Sequence, residues 1–148
     1  MGKLIFITGG ARSGKSTLTV ELARSIRRQK IFVATCIPED DEMQERVRLH
    51  KKSRPSSWRT VECGIELKAA LKKETKSNVV ILIDCLTLFI AGLLMKNVSC
   101  SRIEGKLRRV LKIIKQGKAT VIIVSNEVGA GLVQIGRASC RERVWTVV

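Results

Sequence analysis

Aromatic side chains are scarce in this 148-residue sequence, where they make up 3% of the residues and tyrosine is absent. Single-stranded nucleic acids bind proteins largely by stacking their bases on exposed aromatic rings. The sequence supplies few such rings, and no nucleic-acid-binding motif accompanies its basic residues. We therefore expect no nucleic-acid partner.

Cysteine pairs of the metal-binding kind and long apolar runs are also missing. The five cysteines show neither a CxxC pair nor a zinc-type spacing to histidine, so a zinc site is not expected. The first apolar run is too short for a signal peptide. The longest apolar stretch, 79–95, contains Asp84 and falls short of the roughly 20 residues of a spanning helix. We expect a cytoplasmic protein with reduced thiols and no transmembrane segment.

Acidic residues are few: 13 of them stand against 28 lysines and arginines, which leaves a formal net charge of +15. Much of the excess lies in two stretches with helical spacing, 24–30 and 102–118. Solvated helix faces explain such stretches most simply. Nucleic acid, a membrane surface and a phosphorylated substrate are alternatives that the charge alone leaves open.

Apolar runs and helical spacings alternate along the chain. Buried strands are predicted by the runs at 3–8, 31–35, 79–84 and 119–125, and a short extended segment by 58–62. Helices are predicted at 13–28, 40–52, 65–76, 86–96 and 103–116. This alternation predicts an α/β fold with a mostly parallel sheet.

The segment GGARSGKS lies between the first predicted strand and the first predicted helix, and it fits the phosphate-loop pattern G-x-x-x-x-G-K-[ST]. Its glycines let successive N–H groups point at phosphate oxygens, and the helix that follows adds its partial positive charge. Lys15 is expected to reach the β- and γ-phosphates, and Ser16 to ligate Mg²⁺. The predicted nucleotide contacts are Gly9, Gly10, Ala11, Arg12, Ser13, Gly14, Lys15 and Ser16.

An aspartate ends the third apolar run. Asp84 stands where a phosphate-loop protein keeps the acid that organises Mg²⁺. An aspartate at the end of a strand can instead cap the helix that follows. The two roles are compatible, and the sequence leaves both open.

Further motifs stand at characteristic spacings from the phosphate loop. They are Ala34-Thr35, the run DDEM at 40–43 with Arg46 and His50, Arg54-Pro55, Trp58-Arg59-Thr60 with Glu62, DCLT at 84–87 and NEVGAG at 126–131. Together with the loop, this order resembles the bifunctional adenosylcobinamide kinase/adenosylcobinamide-phosphate guanylyltransferase family of cobalamin biosynthesis. The resemblance covers residues 1 to about 133 and implies a P-loop NTPase-like (RecA-like) fold, in which helices flank a mostly parallel sheet.

The resemblance implies an enzyme that phosphorylates adenosylcobinamide and then transfers GMP from GTP onto the new phosphate. In the family the transfer runs through a GMP–histidine intermediate, and His50 is the one histidine of this chain. With Lys15 it forms the expected catalytic pair, and ATP or GTP serves the kinase step. The family's other nucleotide contacts map onto Ala34, Thr35, Cys36, Lys51, Lys52, Ser53, Arg54, Glu62 and Asp84. We interpret Glu62 as an acceptor for guanine.

The sequence departs from the family after residue 134. Ten codons at the start of a widely used sequencing-library adapter, read in one frame, encode residues 135–144. We therefore expect a P-loop domain over 1–134 that lacks its C-terminal part, and a non-native tail over 135–148. Complete family members assemble as homotrimers. The alternatives are a generic P-loop small-molecule kinase in which His50 is incidental, a basic nucleic-acid-binding fragment, and an inactive truncated fragment.

Overall fold

The computed structural model describes residues 2–10, 12–38, 40–52 and 54–127, and the backbone of 143–147. The strands are β1 (Lys3–Gly9), β2 (Lys30–Ala34), β3 (Arg59–Glu62), β4 (Val80–Asp84), β5 (Thr120–Asn126) and β6 (Arg143–Val147). The helices are α1 (Lys15–Ser25), α2 (Asp41–Lys52), α3 (Leu67–Glu74), α4 (Leu86–Met95) and α5 (Cys100–Gln116). Each strand and helix predicted from the sequence is present.

The strands form one sheet in the order β3-β2-β4-β5-β1-β6. The first five are parallel, whereas β6 pairs antiparallel with β1. The predicted α/β fold with a mostly parallel sheet is therefore confirmed. Strand β5 lies between β1, which leads into the phosphate loop, and β4, which ends in Asp84. The expected domain boundary at residue 134 lies outside the described residues and stays a prediction.

Alternation of side chains along the strands gives the sheet two apolar faces. On one face, which we call the α5 face, residues such as Ile81 and Ile123 pack with side chains from α3, α4 and α5. On the other, the α1 face, Leu82, Ile122 and Val124 pack with α1. Because helices cover both faces, the central strands read as continuous apolar runs.

The helix boundaries differ most from the sequence predictions in α1 and α5. Helix α1 begins at Lys15 rather than at residue 13, since its N-cap Gly14 has a φ of 87°, in the left-handed region that glycine tolerates. It ends at Ser25 because Ile26 is extended. Helix α5 begins three residues before the predicted start, after Ser99, whose carbonyl accepts the Ile103 N–H at 3.0 Å. None of the described helices is both long and apolar enough to cross a membrane.

Candidate nucleotide-binding site

The segment between β1 and α1 is a tight loop at the carboxyl edge of the sheet. A Cβ on Gly9 would lie 3.0 Å from the Ser13 hydroxyl, so any larger residue there would crowd that side chain, and glycine leaves the loop room to close. Arg12 and Gly14 have φ values of 57° and 87°. Left-handed residues between ordinary ones turn successive N–H groups toward one concave side, which suits an anion. Ala11 lies outside the described residues.

Lys15 folds back over this loop. Its side chain is buried, and its Nζ donates to the Gly10 carbonyl and, at 3.1 Å, to the Ser13 hydroxyl. Both acceptors are neutral, so the positive charge of the ammonium is only partly compensated. A buried cation held by neutral oxygens favours the arrival of an anion. The predicted interaction of Lys15 with phosphates is compatible with this position.

A cavity of about 280 Å³ opens beside α1, and residues from six separate segments line it, four of which contribute polar side chains predicted for the site. Ser16 comes from the first turn of α1, Asp84 from the end of β4, His50 from α2 and Arg54 from the segment after α2. The structure thus brings together side chains that lie up to 68 residues apart in the sequence. All four residues were predicted from the sequence to belong to the site.

Asp84 is half-buried in this cavity. Burial raises the pKa of its carboxyl, while electrostatic interactions with His50, Arg54 and Lys15 act in the opposite direction. The net direction is upward, so the ionised carboxylate lacks full compensation in the protein alone. Its role as a helix cap is excluded, because the N-cap of α4 is Cys85, whose Sγ accepts the Leu88 N–H at 3.4 Å.

The residues at the cavity fit a magnesium ion. The carboxylate of Asp84 and the hydroxyl of Ser16 are hard oxygen donors, the kind that Mg²⁺ prefers. Among the described residues, no three His, Cys, Asp or Glu side chains group as a metal site. This sparse donor set suits Mg²⁺, which commonly takes its remaining ligands from phosphates and water.

Arg54 is a second charged group with incomplete partners. Its guanidinium stacks on the ring of Phe32, 3.2 Å from the centroid, and its Nη1 is buried without a hydrogen-bond partner. Burial lowers the pKa of Arg54, and Asp84 opposes that shift. A buried N–H without an acceptor costs about 1–3 kcal/mol. A phosphate oxygen in the cavity would remove that cost, which agrees with the predicted contact to nucleotide.

Phe32 was not predicted from the sequence as part of this site. It lies in the middle of an apolar run, where a buried phenylalanine is ordinary. Side-chain alternation along β2 could have predicted it, because Phe32 lies two residues before the predicted contact Ala34 and therefore on the same face. That face, the α1 face, is the one on which the cavity opens.

Several other predicted contacts lie in a row across the strand ends. Ala34 is in register with Glu62 on one side and with Asp84 on the other. Next to it, the Thr35 hydroxyl donates to the Cys85 carbonyl at 2.7 Å, which fastens the end of β2 to that of β4. Cys36 follows and is half-buried. Parallel pairing therefore brings these predicted positions to one edge.

The basic residues after His50 take different positions. Lys51 forms an ion pair with Glu62, and both side chains are exposed, so the structure joins two of the predicted nucleotide contacts directly. Lys52 is exposed at the end of α2 and is not among the residues that line the cavity. Ser53 lies outside the described residues, as do positions 128–131 of the NEVGAG motif.

Among solved structures, the chain is similar to a prototypical ATPase from the type III secretion system of pathogenic bacteria. The TM-score is 0.63 at 16% sequence identity, and the match covers 90% of this chain and 46% of that one. A likeness at this identity concerns the fold alone. It confirms the predicted P-loop NTPase-like arrangement of sheet and helices.

Relatives found by sequence similarity indicate the family of the chain, and not its fold alone. The bifunctional adenosylcobalamin biosynthesis protein CobP of Pseudomonas aeruginosa is 38% identical over 135 residues, which cover 91% of this chain and 78% of that protein. The corresponding protein CobU of Salmonella typhimurium is 30% identical over 173 residues, covering 98% of this chain and 95% of the relative. CobU of Escherichia coli is 32% identical, covering 90% and 80%.

A family model described as cobinamide kinase / cobinamide phosphate guanyltransferase matches residues 5–143. The match spans the phosphate loop, the segment around His50 and the strand that ends in Asp84. It confirms the resemblance drawn from the motifs, and with it the two classes of activity expected, kinase and nucleotidyltransferase. The chain belongs to the cobinamide kinase / cobinamide phosphate guanylyltransferase family.

Proposed function

We propose that one nucleotide site of this chain serves both reactions and that His50 carries GMP between GTP and adenosylcobinamide phosphate. The observation that carries the proposal is the common cavity of His50, Asp84 and Ser16. His50 is exposed on α2, yet it lines the same cavity as the first turn of α1 and the end of β4. This shared cavity supports an attack of His50 on a triphosphate held at the phosphate loop.

In the kinase step, the hydroxyl of adenosylcobinamide attacks the terminal phosphorus of ATP or GTP, and the nucleoside diphosphate leaves. Lys15 and the N–H groups of the loop bind the phosphate oxygens and offset the charge that develops during transfer. Ser16 and Asp84 would hold Mg²⁺, which when bound supplies further charge neutralisation.

In the guanylyl step, a lone pair of the neutral imidazole of His50 attacks the α-phosphorus of GTP. The bond from that phosphorus to the bridging oxygen breaks, and pyrophosphate leaves. A phosphate oxygen of adenosylcobinamide phosphate then attacks the same phosphorus, and the phosphorus–nitrogen bond breaks. Imidazole suits this role because it is largely neutral near pH 7 and needs no strong base to activate it. Arg54 can donate a hydrogen bond to a phosphate oxygen from its Nη1, which has no partner in the protein.

We expect the protein to become covalently labelled when it is incubated with Mg²⁺ and GTP radiolabelled on the α-phosphate. The label should survive denaturation, be lost in acid, as phosphoramidates are, and be discharged by adenosylcobinamide phosphate. GTP labelled on the γ-phosphate should leave no label. The His50→Ala variant should show no detectable label but retain phosphorylation of adenosylcobinamide.

The matched control is Leu49→Ala, which shortens the exposed neighbouring side chain on α2 and should be labelled like the unmodified protein. Label that persists in His50→Ala would exclude His50 as the carrier. An unmodified protein that phosphorylates adenosylcobinamide without becoming labelled would favour the generic small-molecule kinase instead.

Glu62 is proposed to select guanine. Its carboxylate is exposed at the end of β3 and can accept both the N1–H and the N2–H of guanine, which adenine cannot offer together. Ala34, Thr35, Cys36, Lys51 and Lys52 complete the proposed nucleotide contacts.

We expect Glu62→Gln to reduce the preference of the labelling reaction for GTP over ATP by about 10- to 100-fold, since a hydrogen bond to a charged group is worth about 1.5–3 kcal/mol. The preference is measured as the ratio of the two kcat/KM values. Lys51→Met is the matched control: it breaks the same ion pair but should weaken both nucleotides alike and leave the ratio unchanged. A full GTP preference in Glu62→Gln would count against the role of Glu62.

The assembly and location proposed for the protein rest on the family resemblance. A homotrimer in the cytoplasm is the expected form of a complete member. A mass measurement in solution tests the trimer for this chain, and a monomeric mass would contradict it.

A further inference from the structure

We propose that the side chain of Asn126 binds the phosphoryl group transferred in the kinase step, and that Thr87 positions Asn126 for this contact. The inference rests on the proposed function in one respect, that the phosphate loop holds the kinase's nucleotide. It adds a residue that acts on one of the two reactions and not on the other.

The position of Asn126 follows from the order of the strands. It is the last residue of β5, the strand between β1 and β4. Asn126 is in register with Gly9, the first residue of the phosphate loop. Two residues earlier, Val124 is in register with Asp84. Asn126 therefore lies between the phosphate loop and the acid proposed to hold Mg²⁺, where the terminal phosphate of a bound nucleotide is expected.

The side chain of Asn126 belongs to the α1 face of the sheet. Along β5, Ile122 and Val124 pack on that face, and the next residue, Ser125, points to the opposite face, where its hydroxyl lies 3.3 Å from that of Thr87 on α4. Alternation places the carboxamide of Asn126 on the same face as Val124 and Asp84. This is the face on which α1 and the cavity lie.

Lys15 approaches the same point from the loop. Its aliphatic stem passes over Gly9, because a Cβ added to Gly9 would lie 3.5 Å from the Cδ of Lys15. Since Gly9 pairs directly with Asn126, the carboxamide and the stem of Lys15 flank the same short piece of backbone. Lysine in this position reaches the β- and γ-phosphates. The N–H₂ of Asn126 would thus meet the terminal phosphoryl group and not the α-phosphate.

Thr87 fixes the backbone of Asn126. The Thr87 hydroxyl accepts the Asn126 N–H at 2.9 Å and lies 3.3 Å from the Asn126 carbonyl, to which it can donate. On the other side, the Glu127 N–H donates to the Gly9 carbonyl at 2.9 Å. The end of β5 is therefore held between α4 and β1. A neutral amide donor held in this way can stabilise charge on a phosphoryl oxygen with little reorganisation.

Comparing the kinase and guanylyl reactions distinguishes a contact of Asn126 with the terminal phosphoryl group from a general effect of Asn126 on nucleotide binding. The kinase step moves the γ-phosphoryl group, whereas guanylyl transfer breaks the bond between the α-phosphorus and the bridging oxygen. A donor at the terminal phosphate matters most for the first. Loss of a single such donor costs about 10²–10³-fold in rate.

We expect Asn126→Ala and the nearly isosteric Asn126→Asp to lower the kcat of adenosylcobinamide phosphorylation by about 10²-fold, with little change in KM for the nucleotide. Covalent labelling from α-labelled GTP should stay within about threefold of the unmodified protein. Ser125→Thr is the matched control: it alters the neighbouring side chain on the α5 face but keeps the hydroxyl beside Thr87, and should leave both rates nearly unchanged. Thr87→Val should lower the kinase rate about tenfold, and Thr87→Ser, which keeps the hydroxyl, should restore it.

Kinase activity within about threefold of the unmodified rate in a folded Asn126 variant would overturn the inference, and so would equal losses in both reactions. Thermal melting checks that the variants are folded. If the unmodified protein is not labelled by GTP, the proposed histidine carrier fails, yet kinase kcat and nucleotide affinity in the Asn126 variants still test this residue. The two failures are therefore distinguishable.

Discussion

Replacing Lys15 with methionine is expected to lower both phosphorylation of adenosylcobinamide and labelling by GTP by about 10²–10³-fold each. The ammonium lies over the phosphate loop, held by the Gly10 carbonyl and the Ser13 hydroxyl. Both reactions break a phosphorus–oxygen bond of a triphosphate bound at that loop, so both lose the cation that offsets the charge on the leaving phosphates.

Methionine keeps the aliphatic stem that packs along Gly9, so the fold should persist and thermal melting should change little. Lys3→Met is the matched control, because Lys3 is exposed at the opposite end of β1. Its rates should lie within about twofold of the unmodified protein, as expected for a surface substitution. If Lys15→Met retained either reaction at a comparable rate, that reaction would not use the phosphate loop.

The sequence was sufficient for the fold and the phosphate loop because their determinants are local. The central strands are covered on both faces, so they appear as unbroken apolar runs, as in β4 and β5. The loop is encoded by adjacent residues, with glycine at position 9, where the Ser13 hydroxyl comes close, and a left-handed glycine at position 14. Helix boundaries were less accurate, since a left-handed residue such as Gly14 ends the loop without disturbing the apolar spacing.

The side-chain contacts of the site were not predictable in the same way, because they join distant segments. The stacking of Arg54 on Phe32 and the ion pair of Lys51 with Glu62 depend on where α2 lies against the sheet. The N-cap of α4 was not predictable either, although it depends on neighbouring residues alone. Aspartate is a preferred N-cap and cysteine is not among the preferred residues, yet Cys85 takes that position and leaves Asp84 in the cavity.

The position of Asp84 lowers the stability of the folded protein, and the proposed magnesium site would explain why an acid is kept there. Burial raises the pKa of this carboxyl above its ordinary value, so the ionised form is less favourable in the folded protein than in the unfolded chain. Each unit of such a shift corresponds to about 1.4 kcal/mol. An acid retained under these conditions at the phosphate loop is typical of a site that a cation completes.

We expect Asp84→Asn to lower both reactions by about 10²-fold or more while raising the free energy of unfolding at neutral pH, measured without nucleotide and with Mg²⁺ chelated. Asparagine keeps the shape of the side chain and removes the uncompensated charge. The two effects thus have opposite signs, which a substitution that merely damaged the fold would not produce.

The same pKa shift predicts how the stability difference between the unmodified protein and Asp84→Asn depends on pH. The pKa of Asp84 is higher in the folded protein, so the folded state binds more protons than the unfolded chain at pH values between the ordinary pKa of the carboxyl and its raised pKa. The stability of the unmodified protein therefore falls across that window relative to Asp84→Asn, and the difference is constant at higher pH. Below the ordinary pKa, where the carboxyl is protonated in both states, the difference should vanish.

Asp41→Asn is the matched control, because this exposed carboxylate lies in the first turn of α2. An acid at the N-terminus of a helix is stabilising by about 0.3–1 kcal/mol, so its removal should lower stability slightly, opposite in sign to Asp84→Asn. Denaturant unfolding over a series of pH values measures both variants.

An Asp84→Asn protein less stable than the unmodified one at neutral pH would mean that the positive charges of Arg54 and Lys15 outweigh the burial of Asp84. The carboxylate would then be compensated without a metal ion, and the physical argument for magnesium at this position would fail.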